Sequence, residues 1–150
     1  MYPVWPIVNV EHLVSTLQDI EEPDLEAYAL ATAVAAAIIA QLRLGNRSLP
    51  GDSTTADTFA TECLRIRSMS RCRSKVNLNN VRTSFFLHVY YENQQSGGTE
   101  SLLYLREAIS LAQMANLHRE SSYAAFALQE QQLRCRVLWL LFVTERYNHP

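Results

Sequence analysis

A chain of 150 residues with 48% hydrophobic and 19% charged side chains can build one packed core, which argues against an intrinsically disordered protein. It contains only four glycines and five prolines, and this scarcity of turn-forming residues argues against an all-β fold. The formal net charge of −2 gives no general reason to expect a nucleic-acid partner.

The charge is nevertheless distributed unevenly along the chain. Residues 1–62 carry nine acidic and two basic side chains, whereas residues 63–91 carry six basic and no acidic ones. A segment of one sign can meet an acidic partner or a phosphate. The alternative, which we favour, is that the basic segment packs beside the acidic N-terminal part of the same chain.

The N-terminal residues predict a lead-in and a short helix. Residues 1–8 contain two prolines and are expected to be extended. Asn9 can cap a helix over residues 10–17, because its side-chain oxygen can accept an N–H of the first turn. Four apolar positions share one face of that helix: Val10, Leu13, Val14 and Leu17.

The strongest helix by propensity is predicted from Leu25 to Leu44. Pro23 or Asp24 opens its first turn, and Gly45-Asn46 ends it. The uncharged stretch Ala27–Ala40 comes closest to a membrane span, but it is rich in alanine and too short. We therefore predict a buried helix of a soluble protein and no membrane association.

Two further helices are predicted in the middle of the chain. The first covers residues 54–69, where Phe59, Cys63, Ile66 and Met69 form one stripe at helical spacing. Residues 70–80 are polar and basic and predict a connection. Asn80 is the expected cap of the next helix, over residues 81–93. That helix is apolar on nearly all sides, which is typical of a central helix.

The C-terminal third predicts two long helices, at 99–116 and 129–146, with a short helical or irregular link at 120–127. Residues 94–98 are predicted to form a flexible connection before the first of these two helices. No strand is evident, so the expected fold is all-α: an antiparallel helical bundle or stacked helix pairs with six or seven helices and no sheet. The last helix has one apolar face, formed by Leu133, Val137, Leu140, Leu141 and Thr144 and widened by Trp139, Phe142 and Val143.

No motif for catalysis or metal binding is present. The glycines do not form a phosphate-binding loop, and the four histidines and three cysteines show no ligand spacing or catalytic pairing. An odd number of cysteines favours a reducing compartment, and Cys63 is expected in the core. Phe86 and Tyr90 are candidates for lining a small-molecule cavity between helices, although core packing is the favoured role for both.

A resemblance to a known family lies between Tyr104 and Arg146. The segment is similar to the middle homology region of fungal zinc-cluster transcription factors. Its amino-acid sequence looks most like that of activators of starch and maltose utilisation genes. The family's usual glycine is Asn116 here, and one usual arginine is Cys135. The matching positions are Ala108, Ala112, Leu117, His118 and Arg119 in the first block and Glu130, Arg134, Arg136, Trp139, Glu145 and Arg146 in the second.

The resemblance implies a nuclear, non-catalytic regulatory region that does not contact DNA and that controls starch or maltose utilisation genes. Its expected partners are other proteins or the remainder of a longer transcription factor, with a small sugar as the candidate inducer. No cofactor is expected in this chain, because zinc would belong to an N-terminal six-cysteine cluster that is absent. We interpret residues 1–150 as a partial regulatory domain, truncated at its C-terminal end. The alternative is a stand-alone helical interaction module or a degenerate paralogue.

The arginines of the second block suggest a physical role for this region. They flank an apolar stripe, and guanidinium groups at helix junctions hold orientation more than they add stability. We therefore expect a bistable junction that relays inducer binding to activation. The expected pairs join Arg134, Arg136 and Arg146 to Glu107, Glu120, Glu130 or Glu145.

Overall fold

The computed structural model describes residues 7–19, 21, 24–42, 55–69, 71, 74–94 and 98–148. Within these residues the chain forms six α-helices and one short 3-10 helix, Glu120–Ala125, and no strand. The all-α prediction is therefore confirmed. The α-helices are α1 Val10–Leu17, α2 Leu25–Leu42, α3 Ala56–Met69, α4 Leu78–Glu92, α5 Gly98–Met114 and α6 Leu128–Asn148.

The start of α1 agrees with the sequence. The side chain of Asn9 accepts the N–H of His12 at 3.1 Å, as expected of the helix cap. Ile7, just before it, is buried, while residues 1–6 of the expected lead-in lie outside the described residues. The apolar face of α1 is largely open to solvent, since Leu13 packs on the core but three others are exposed: Val10, Val14 and Leu17.

Helix α2 begins at Leu25, directly after Asp24. Asp24 Oδ1 accepts the N–H groups of Glu26 and Ala27, both at 3.0 Å, so this carboxylate caps the helix. The expected end at Gly45-Asn46 lies outside the described residues. Among the residues described, α2 is the one helix long and apolar enough to cross a membrane. Eight of its residues are buried inside the fold, and the core helix of a soluble protein passes the same test.

Consecutive helices from α2 to α5 run antiparallel. Cys63 Sγ, in the middle of α3, donates to the carbonyl of Ala29, early in α2, at 3.3 Å. Ala60, about one turn earlier in α3, shares a buried cluster with Ala36, about two turns later in α2. These small side chains let the two helix backbones approach closely. Cys63 is fully buried, as predicted, and burial raises the pKa of its thiol to about 11.

Helix α4 is the centre of the fold and packs between α2 and α5. Eleven of its fifteen residues are buried, which confirms the prediction from its all-round apolar character. The predicted start was wrong: the helix begins at Leu78, and its cap is Asn77, whose side chain accepts the N–H of Asn80 at 2.9 Å. Asn80 is buried inside the first turn and donates to the Lys75 carbonyl at 2.7 Å.

The basic middle segment meets the acidic N-terminal part, as we expected. Lys75 Nζ lies 3.0 Å from the Glu26 carboxylate, and Asn77 donates to the same carboxylate at 2.7 Å. Glu26 opens α2 and Asn77 opens α4, while Ala36 and Tyr90 pack together further along. The two helices therefore run parallel, with α3 antiparallel beside both.

Candidate functional site

The end of α5 places the first block of the family-like motif in a tight helix cap. The N–H of Leu117 donates to the carbonyl of Ala112, and the N–H of Asn116 to that of Gln113, both at 3.0 Å. This pair of bonds defines a Schellman cap, which needs a left-handed residue at its turn. Asn116 has a φ of 57°, a conformation that glycine and asparagine tolerate best. The replacement of the family's usual glycine is therefore compatible with the turn.

The 3-10 helix is attached to this cap. Tyr123 is buried, and its hydroxyl donates to the carbonyl of Leu117. The hydroxyl of Ser122 lies 2.9 Å from the carbonyl oxygen of Asn116. The turn is thereby held from both sides. His118 and Arg119, which the motif singles out, have exposed side chains on its outer surface.

The start of α6 holds one motif arginine in place. Arg134 Nε donates to Glu130 Oε1 at 3.0 Å, and the guanidinium lies 3.9 Å from the centre of the Phe126 ring. The Arg134 side chain is only 13% exposed. Gln131 adds a bond from its amide to the Phe126 carbonyl at 2.8 Å. The predicted pair between Arg134 and Glu130 is therefore present, and it fixes the link to the helix.

The other two arginines of α6 do not make the predicted pairs. Arg146 lies exposed, 5.1 Å from the ring of Phe142, and Arg136 is exposed without an ion pair to any described residue. Glu145 instead binds Arg106 of α5 at 3.1 Å. The prediction was wrong because residues 136 and 146 lie on the outer side of α6, away from α5.

Glu107 pairs with an arginine that the sequence did not point to. Arg67 of α3 is 3% exposed and donates to Glu107 Oε1 and, at 3.2 Å, to the hydroxyl of Ser84. Ser84 in turn donates to Glu107 at 2.8 Å. This buried cluster joins α3, α4 and α5. The available signal was the spacing, since residue 67 follows Cys63 by four positions and so lies on the buried stripe of α3.

The outer face of α6 is apolar and exposed. Trp139, Phe142 and Val143 were predicted to widen the buried stripe, but they are 66%, 52% and 39% exposed. Val137 and Leu141, on the opposite side, are the buried residues of this helix. The helix therefore has two apolar faces, of which one packs on the core.

Phe86 and Tyr90 are core residues. Phe86 is fully buried, with its ring 5.5 Å from that of Phe85 in an edge-to-face arrangement. Tyr90 is 6% exposed, and its hydroxyl donates to Asp57. Burial and the neighbouring carboxylate both raise the pKa of Tyr90. The structure thus places both side chains in helix packing, which was the favoured interpretation.

Several buried polar groups of the described residues join neighbouring helices. No group of three or more His, Cys, Asp or Glu side chains gathers there as a metal site would require. His88, for example, is fully buried and lies against Ser101, with its Nδ1 2.9 Å from the Ser101 carbonyl oxygen. Its role in this arrangement is to join α4 to α5.

Comparison with known proteins identifies the relatives of this chain. The model of the fungal specific transcription factor domain matches residues 1–149. A probable sucrose utilization protein of Candida albicans is 36% identical over 97% of this chain and 29% of its own length. A maltose fermentation regulatory protein of Saccharomyces cerevisiae is 33% identical over 98% of this chain and 31% of its own length. The chain thus spans about a third of these relatives, and no solved structure matches it.

Proposed function

Because this chain belongs to the fungal specific transcription factor domain family, we propose that it is a regulatory segment controlling genes for the use of disaccharides or starch. The observation that carries this proposal is the match to relatives whose names refer to sucrose utilization and to maltose fermentation. Those names describe proteins about three times as long as the matched segment.

The geometry supports a regulatory role over a catalytic one. The motif residues build a helix cap, a stacked arginine and an exposed surface, and buried polar groups such as Ser84 and Glu107 bond between helices. Such an arrangement can hold the orientation of α5 and α6, which a relay between inducer and activation requires. We infer that this segment is not an enzyme and that it does not contact DNA itself.

The proposed partners follow from the same surfaces. The outer face of α6, with Trp139 and Phe142, is suited to another helical protein element, in the same factor or in a separate one. A small sugar is the proposed inducer. We propose a nuclear location and no cofactor bound by this chain, with zinc confined to a separate DNA-binding cluster.

The proposal is tested with a chimera. In Candida albicans lacking its sucrose utilization protein, that protein is returned with its matched segment replaced by residues 1–150 of this chain. We expect the chimera to restore sucrose-dependent transcription of a reporter gene. A parallel chimera is built in the Saccharomyces cerevisiae maltose regulatory protein and is assayed on maltose.

The controls separate function from folding. A chimera with Leu105→Asp places a charge at a site that is 1% exposed, and it is expected to lose both the fold and the response. Each chimera is tagged to measure its amount and its nuclear location. If both wild-type chimeras accumulate in the nucleus and neither reporter responds to its sugar, the proposed function is wrong.

A further inference from the structure

A cavity of about 230 Å³ lies between four helices, away from the motif residues at the end of α5. Thr16 of α1, Ala27 of α2, Arg82 of α4 and Leu133 of α6 each contribute one wall. A second, more open space of about 520 Å³ runs between the start of α1 and α6. The two spaces share five lining residues and so form one continuous cleft: Val8, Asn9, His12, Glu130 and Leu133.

Arg82 lines the cavity with its side chain. One of its terminal nitrogens donates to the carbonyl of Ile7 at 2.9 Å, and the other donates to Asn79. Its Nε is buried and has no hydrogen-bond partner among the described residues. A guanidinium carries five N–H donors, and the bonds to Ile7 and Asn79 use two of them, so further donors of Arg82 are available to a ligand in the cavity.

Two carboxylates supply acceptors. Asp24 uses Oδ1 to cap α2, and Glu130 uses Oε1 to bind Arg134. The second oxygen of each takes part in no hydrogen bond between described residues. Glu130 also lies close enough to Arg82 to oppose the lowering of its pKa that burial causes. Donor and acceptor groups therefore line the same cavity.

The charges and the walls restrict the class of ligand. Arg82 and Arg134, the partner of Glu130, balance the two carboxylates, so the charges around the cavity favour neither an anion nor a cation. A hydroxyl group both donates and accepts, so it can satisfy either kind of group. The leucines of the walls, among them Leu13 and Leu30, suit the non-polar face of a small ring.

We propose that this cleft binds a neutral polyhydroxyl compound, with one sugar-sized ring in the cavity beside Arg82 and any second ring in the open groove. The identification of that compound as a sugar rests on the proposed function. The cleft is lined by α1 and α6, so a bound ligand would bridge the first and last helices of the segment. Ligand binding would thereby shift the position of α6 and of its exposed outer face.

Binding to the purified chain tests the proposal. Maltose, sucrose and glucose are titrated by calorimetry, with glucose 6-phosphate as the anionic comparison. Thr16→Phe fills the cavity, while Ser15→Phe adds the same ring at an exposed neighbour that lines neither space. Both native hydroxyls donate to the His12 carbonyl at 2.9 Å, so the two variants lose the same bond.

We expect at least one neutral sugar to bind saturably, with about tenfold or more weaker binding in Thr16→Phe and little change in Ser15→Phe. Glu130→Gln, which keeps the shape of the side chain, is expected to weaken binding as well, and circular dichroism confirms that each variant is folded. The proposal is overturned if no neutral sugar binds and the cavity holds water only, if both phenylalanine variants weaken binding equally, or if glucose 6-phosphate binds more tightly.

The outcome is separable from that of the proposed function. A chimera that responds to sugar while the purified chain binds none would remove this site and leave the regulatory role intact. Conversely, specific binding that depends on Thr16, in a segment whose chimeras stay silent, would keep the site and remove the proposed role.

Discussion

Replacing Glu107 by alanine should destabilise the fold far more than an ordinary change at an ion pair. The substitution leaves the guanidinium of Arg67, which is 3% exposed, with Ser84 as a remaining partner and no carboxylate. Breaking a buried pair in this way costs about 3–5 kcal/mol, and the 16% exposure of Glu107 favours the lower end. At about 2–4 °C per kcal/mol, the melting temperature should fall by about 6–12 °C.

Urea unfolding followed by circular dichroism measures this effect. The matched control is Glu145→Ala at the exposed pair with Arg106, where solvent screening limits the loss to about 0–1 kcal/mol. The double variant Arg67→Met, Glu107→Leu removes both charges and should recover most of the lost stability, because no buried charge is left unpaired. A loss in Glu107→Ala no larger than in Glu145→Ala would refute the reasoning.

Three further experiments test separate features. Asn116→Ala should lower stability by about 1 kcal/mol and Asn116→Gly should not, since the position has a φ of 57°; equal thermal unfolding of the two variants would contradict this. In a variant with Cys72→Ser, Cys135 is exposed and should react with a thiol reagent at pH 8. Cys63, which is buried and whose pKa is about 11, should react only after unfolding, and mass spectrometry counts the labels. Leu141→Ala should lower the free energy of unfolding by about 2–5 kcal/mol, because Leu141 is buried. Trp139→Ser should lower it by less than about 0.5 kcal/mol, because Trp139 is exposed. Similar losses for the two variants in chemical denaturation would contradict the assignment of the two faces of α6.

Local features were predictable where one residue had one role. Asn9 and Asp24 are the polar residues placed to cap the first two helices, and both do so. The start of α4 was missed because Asn77, Asn79 and Asn80 lie within four residues, and each can accept a backbone N–H. The folded structure decides which of them caps the helix: Asn80 is buried within the first turn, and Asn77 is the cap.

The candidate site was predictable as a motif and not as a geometry. The blocks around His118 and Arg134 could be recognised from the sequence, as could the pair between Glu130 and Arg134, which are four residues apart on one helix. The partner of Glu107 could not, because Arg67 lies 40 positions away and reaches it only once α3 packs against α4 and α5.

The sequence by itself determined the family and the approximate positions of the helices, because helix periodicity and motif spacing are local properties of the chain. Only the tertiary structure decided which apolar face of α6 is buried, where Arg82 meets the cleft and which acidic group pairs with Arg67. These outcomes depend on distances between helices that are far apart in sequence, and a helix with two apolar faces offers no local reason to bury one over the other.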